Sequence, residues 1–229
     1  MEFYENYLTK NTTISPVFWH KDGMPDYRKN ISNSNVIYKL NSHGLRSDEF
    51  IKNHNGEHIL FAGCSITCGI GVNIEDTWAY KVYSDFKNSS GFFNVSLPGG
   101  SPIEIISNIY KYINLYGNPD YIFILLPPIH RDGRYIIKDH IDKVVYNFYK
   151  SLEIFCYFNN IKLLSSSWSS KNEFDFLNNF DTFFEINKSD IDYYGGEILG
   201  DDKHHPGPAA HLIWYNEFKK RINYENFRN

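Results

Sequence analysis

The chain has 229 residues, 42% of them hydrophobic and 17% aromatic, with a formal net charge of −4. That length carries one sizeable core, and the composition excludes a disordered chain. No lysine- or arginine-rich run marks a nucleic-acid surface, so no nucleic-acid partner is expected.

Three cysteines cannot build a disulfide framework. Cys64 and Cys68 lack a second Cys/His pair that would complete a zinc-like set, so free thiols in a reducing compartment are expected. Met1-Glu2-Phe3-Tyr4-Glu5-Asn6 does not read as a secretory leader. No apolar run reaches the roughly 18–20 residues that span a membrane, which makes a cytoplasmic location the default expectation.

Residues 1–50 are polar, aromatic and irregular, and read as an N-terminal extension packing on a core domain of residues 51–229. Within them, Val36 to Leu40 reads as a short strand and Asn41-Ser42-His43-Gly44 as a turn. From residue 58 strands and helices alternate. Ile59–Phe61 is a buried-strand run, and Glu75 to Phe86 a helix with Asn73 as N-cap and Trp78 and Val82 on one face. Phe92 to Val95 is a second strand. Ser101-Pro102 opens the next helix as N-cap and first-turn proline, with Ile103, Ile106, Tyr110 and Ile113 at helical spacing.

Tyr121 to Leu126 is continuously apolar, the pattern of a parallel strand covered on both faces. Ile141, Val144, Val145, Phe148, Leu152 and Phe155 mark a long amphipathic helix. Ile161 to Leu164 is a further strand, and Ala209 to Ile222 a C-terminal helix. Strands separated by helices imply right-handed crossovers and a three-layer α/β/α sandwich.

Ligands of such sheets bind beyond the carboxyl ends of the strands. Three strand ends here carry unusual chemistry: Gly63-Cys64-Ser65, Pro98-Gly99-Gly100-Ser101, and Pro127-Pro128-Ile129-His130-Arg131. The first delivers a serine onto a tight turn. Downstream, Asp202-Lys203-His204-His205-Pro206 offers an acid and a base, and serine, histidine and carboxylate are the parts of a nucleophilic hydrolase. Asp201 with His204 is the alternative frame, and Cys64 or Cys68 the alternative nucleophile. Thr67 stands where a Gly-x-Ser-x-Gly elbow needs its second glycine, and no Gly-Lys-Ser/Thr follows to make a P-loop.

In this ordered set of blocks the chain resembles the SGNH, or GDSL, hydrolases. Gly63-Cys64-Ser65-Ile66-Thr67-Cys68-Gly69 is similar to the first block, with Cys64 in place of its aspartate. Asn94 to Gly99 resembles the second, Asp202 to Pro206 the last, and His211 a further histidine of that helix. Tyr38 to Ser47 resembles a lead-in that some members carry. Short members with an arginine after the third strand resemble proteins encoded in bacteriophage genomes, which would allow association with a virion.

The resemblance implies a flavodoxin-like sheet and acyl transfer to water. Ser65 is then the nucleophile, His205 the base and Asp202 its orienter; Gly99 carries an oxyanion donor, with Asn94 in the same substrate-facing block. The third block departs from the family, because its asparagine is absent from Pro127-Pro128-Ile129-His130-Arg131. His130 or Arg131 is expected to replace that donor at the mouth of the site. No metal or cofactor is implied. The implied partner is a small ester or an acylated carbohydrate, O-acetyl above all. Two other readings remain open: a catalytically weak carbohydrate-binding or structural module on the same fold, and a sugar O-acyltransferase.

Overall fold

The computed structural model describes residues 13–14, 36, 38–134, 140–168, 174–186, 199–201 and 205–226. β1 (Thr13–Ile14) and β2 (Tyr38–Lys39) pair antiparallel, with Ile14 opposite Tyr38. The main sheet is parallel and four-stranded. β3 (Ile59–Gly63) and β5 (Tyr121–Leu126) form its centre, with β4 (Phe93–Asn94) and β6 (Lys162–Ser167) at its edges, in the order β4-β3-β5-β6.

The helices are α1 (Ser65–Cys68), α2 (Trp78–Ser84), α3 (Pro102–Tyr116), α4 (Ile141–Phe158) and α5 (Pro208–Asn226). They flank the sheet, as the sandwich pattern requires. Phe61 and Phe123 are register partners and share one face. Their rings meet Trp78 of α2 and Phe218 of α5, which stack on each other at 4.5 Å. Ile124 and Ser165 lie on the opposite face, where the Tyr149 hydroxyl of α4 bonds Ser165. Every residue from Ile122 to Leu126 is 0% exposed, which explains why this strand is apolar throughout rather than alternating. Each such large side chain contributes about 1.5–3 kcal/mol by its burial.

Local chemistry moved several boundaries. Asn73 makes no side-chain cap; a short 3₁₀ turn (Ile74–Asp76) follows it, and Thr77 caps α2 by accepting the Tyr80 N–H. Ser101 does cap α3, in a reciprocal box with Glu104. The buried face of α3 is Ile105, Ile106, Ile109 and Tyr112, so Ile103, Tyr110 and Ile113 flank it rather than centre it. On α4 the buried stripe is Ile141, Val145, Tyr149, Leu152 and Cys156, while Phe148 faces out.

β6 runs three residues past Leu164, through Ser165, Ser166 and Ser167. Their hydroxyls donate to the carbonyls of Thr182, Phe184 and Leu126, so three serines sit buried without loss. Beyond β2, Asn41 holds the expected turn: its side-chain oxygen accepts the N–H groups of His43 and Leu45. Leu45 and Phe50 join the main core, and Val36, Tyr38 and Leu40 pack on Cys68 and Ile70. No helix among the described residues is long and apolar enough to cross a membrane.

Candidate active site

Ser65 is the first residue of α1, directly beyond β3, and Cys64 is the single extended residue between strand and helix. The turn is tight enough to dictate its neighbours. A Cβ on Gly63 would lie 2.0 Å from Thr67 Oγ1 and 2.9 Å from the Leu125 carbonyl oxygen. Thr67, which breaks the elbow pattern, is therefore the residue that Gly63 makes room for. Gly69 closes α1 in the left-handed region at φ 77, its N–H donating to the Ser65 and Ile66 carbonyls.

The Ser65 side chain is largely buried, and its Oγ contacts Cys64 Sγ at 3.9 Å. Both alternative nucleophiles are less suited. Cys64 is fully buried, and its sulfur accepts the Trp168 indole N–H at 3.2 Å. Burial pushes the Cys68 thiol up to about 11, so it holds its proton at neutral pH.

The turn after α1 is braced from the N-terminal side. Arg46, only 3% exposed, donates from Nη1 to the carbonyls of Gly69 at 2.6 Å, Val72 at 3.0 Å and Cys68 at 3.2 Å. Its guanidinium lies 4.4 Å from the centre of the Tyr38 ring, and the Tyr38 hydroxyl accepts the Gly71 N–H. The resemblance to a lead-in segment thus has a physical counterpart: Tyr38 and Arg46 hold the serine turn.

The same turn receives the C-terminal block. The Asp201 N–H donates to the Gly71 carbonyl at 2.8 Å. Gly200 packs so closely on Gly71 that a Cβ would stand 2.6 Å from its oxygen. Gly200 N–H then donates to the His205 carbonyl at 2.7 Å, and Leu199 bridges Pro206. His205 is partly buried and Asp201 exposed, while Asp202, Lys203 and His204 lie outside the described residues.

His211 is fully buried, and its Nδ1 accepts the Trp78 backbone N–H at 3.1 Å. Burial, assisted by the nearby positive fields of Arg46 and His205, pushes its imidazole down to about 3. It is therefore a neutral acceptor that ties α5 to α2, not an acid–base group.

The other two strand ends meet this turn. Asn94 is 1% exposed; its amide donates to the Thr67 carbonyl and its oxygen accepts the Ser96 N–H. It is a brace between the first two blocks rather than a group facing substrate. Gly99 adopts φ +73, and no heavy atom of the described residues lies within 4 Å of where its Cβ would stand. Of the two residues expected to replace the missing asparagine, the structure brings Arg131 to the glycine loop. Its Nη1 donates to the Gly100 carbonyl at 3.2 Å, and its guanidinium lies 5.3 Å from the Trp168 ring. His130 is exposed.

Trp168 is the site residue that sequence reasoning missed. Ending the strand at Leu164 left Ser165-Ser166-Ser167-Trp168 as loop, whereas the strand continues and places Trp168 at the same sheet edge as Ser65. A fourth strand end was the available signal.

No protein-family model and no curated protein sequence matches the chain. Solved structures do. A psychrotrophic esterase from Pseudoalteromonas sp., inhibited by monoethylphosphonate, is 17% identical over 75% of this chain and 98% of its own, with a TM-score of 0.54. A candidate acylhydrolase from Bacteroides fragilis is 14% identical over 89% of this chain and 97% of its own, with a TM-score of 0.53. A family two carbohydrate esterase from Clostridium thermocellum, in complex with cellohexaose, is 16% identical over 76% of this chain and 65% of its own, also at 0.53. The fold is shared with these esterases and the candidate acylhydrolase: a parallel sheet between helices, with the candidate serine just beyond the end of β3.

Proposed function

We propose that this chain is a serine ester hydrolase acting on a small acyl ester, an O-acetyl group on a carbohydrate. The observation that carries the reading is the packing of Gly200 and Asp201 on Gly71, in the turn that follows α1, through the Asp201–Gly71 hydrogen bond and the close Gly200–Gly71 approach. The His205 carbonyl accepts the Gly200 N–H, so the backbone of a histidine 140 positions from the serine (205 − 65) connects to the turn that follows α1. The fold neighbours add support, since they include esterases and a carbohydrate esterase.

In this mechanism His205 takes the Ser65 proton as Oγ attacks the ester carbonyl carbon. Asp202 holds the imidazole and stabilises the imidazolium. The N–H groups of Ser65 and Gly99 donate to the oxyanion. His205 returns the proton to the leaving alcohol, leaving an acyl-serine. Water then repeats the sequence, giving the carboxylic acid and free Ser65. Arg131, bonded to the Gly100 carbonyl, fixes the glycine loop that carries Gly99.

A panel of short p-nitrophenyl esters, with acetylated sugars alongside, tests the reading. Ser65→Ala should abolish turnover, and a fluorophosphonate should label Ser65 alone. His205→Ala should remove activity while His204→Ala largely spares it. Labelling at Cys64, or none in folded protein, contradicts the proposal. Acyl transfer to an added sugar in preference to water would reassign the chain as a transferase.

A further inference from the structure

Trp168 contacts both Cys64 of the serine turn and Arg131. Its indole Nε1–H donates to Cys64 Sγ at 3.2 Å, and the same sulfur meets Ser65 Oγ at 3.9 Å. Its ring lies 5.3 Å from the Arg131 guanidinium, which reaches the Gly100 carbonyl. Its own backbone N–H donates to the Leu126 carbonyl at 3.2 Å, fixing the indole to the end of β5. One side chain therefore links the serine turn, the glycine loop and the loop after the third core strand.

The chemistry suits a positioning role. A thiol sulfur is a weak and diffuse acceptor, so alone it orients a neighbouring hydroxyl poorly. An indole N–H directed at that sulfur holds the thiol in place, and with it the group that the serine hydroxyl rests against. On its other side, the indole face attracts a guanidinium that stays charged at any working pH. An aromatic residue that merely filled the rim would need neither the N–H nor the cation.

We propose that Trp168 is a positioning residue: through Cys64 it sets the resting orientation of the Ser65 hydroxyl, and through Arg131 it holds the Gly99–Gly100 loop. The proposal rests on the reading of Ser65 as an esterase nucleophile.

Trp168→Phe keeps a ring beneath Arg131 and removes only the N–H, so it separates positioning from packing. A neutral hydrogen bond has a net worth of about 0.5–1.5 kcal/mol, which corresponds to roughly two- to tenfold in rate. Trp168→Phe should lower kcat on p-nitrophenyl acetate, and the rate of fluorophosphonate labelling at Ser65, by that factor with KM little changed. Trp168→Ala should lower both further. In that background Arg131→Ala should add much less than it does in the wild type, because the two changes share one contact.

A nitrogen–proton correlation spectrum gives a readout independent of activity. The indole resonance missing from Trp168→Phe should shift in both Cys64→Ala and Arg131→Ala. Equal kcat and equal labelling in wild type and Trp168→Phe would overturn the positioning role and leave the hydrolase reading intact. An unshifted indole resonance in both variants would overturn it as well. Failure of the wild type to label or to turn over any ester would defeat the hydrolase reading itself, and the catalytic role of Trp168 with it.

Discussion

Replacing Arg46 with methionine should both destabilise the protein and slow it. The guanidinium is 3% exposed, and burial holds its pKa below the ordinary value despite the opposing fields of Cys68, Tyr38 and Glu75. Methionine removes the charge, so no uncompensated ion is left inside. What remains are the carbonyls of Cys68, Gly69 and Val72. Gly69 keeps a partner in the Val72 N–H at 3.3 Å. Two carbonyls lose the donor that Arg46 supplied, at about 1–3 kcal/mol each. Water entering beside the smaller methionine side chain relieves part of that, which leaves a loss of about 2–4 kcal/mol. For a chain of this size each kcal/mol lowers Tm by roughly 2–4 °C, so a fall of about 4–16 °C is expected. Urea unfolding with an unchanged m-value would measure it. Arg46→Lys keeps the charge but not the planar fork that stacks on Tyr38, and should recover only part. Because the same turn holds Gly200 and Asp201 through Gly71, ester turnover should fall in the folded variant too. A loss below about 0.5 kcal/mol, the size of an ordinary surface change, together with unchanged turnover, would refute the bracing role.

Gly200→Ala would place a Cβ 2.6 Å from the Gly71 carbonyl oxygen and lift the histidine segment off the serine turn. A displacement of this kind costs up to about 100-fold in turnover, with little change in Tm; full activity would show that the contact does not position His205. Gly63→Ala should cost about 1–3 kcal/mol by overpacking, read by urea unfolding, because Thr67 and the Leu125 carbonyl leave no room. Stability should also fall as the pH drops from about 6.5, since burial pushes His58 down to about 4 and His211 to about 3. Between those values the unfolded chain binds the protons that the folded one excludes, so stability is fully present above the unfolded pKa and is lost on the way down. His58→Phe should flatten part of that slope in urea melts, and an identical slope would clear the histidine of responsibility.

Legibility in the sequence followed how locally each feature is determined. β5 was readable because burial on both faces demands an unbroken apolar run, and α3 because Ser101, Pro102 and Glu104 form a self-contained start. β6 was cut short because Ser165, Ser166 and Ser167 are polar by composition and satisfied only by carbonyls on other segments. The start of α2 was misplaced because Asn73 and Thr77 are both good caps, and only the 3₁₀ turn between them decides. The stripes on α3 and α4 were offset because aromatic positions such as Phe148 and Tyr110 look buried by type while sitting on the flank.

The candidate site divides along the same line. The serine turn is encoded in seven consecutive residues, from Gly63 to Gly69, whose side chains exclude one another's alternatives. Its supports are not local at all. Arg46 and Trp168 reach it, Gly200 packs on Gly71 just beyond it and Arg131 holds the neighbouring Gly100, from four separated parts of the chain, and none carries a motif that names its partner. The block pattern records where the groups stand along the strands, whereas the geometry of the cleft depends on long-range contacts that can be rebuilt with other side chains. Here an indole from the end of β6 and a guanidinium from the loop after β5 lie 5.3 Å apart, and the guanidinium reaches the Gly100 carbonyl, so three strand ends are joined by side chains far apart in sequence.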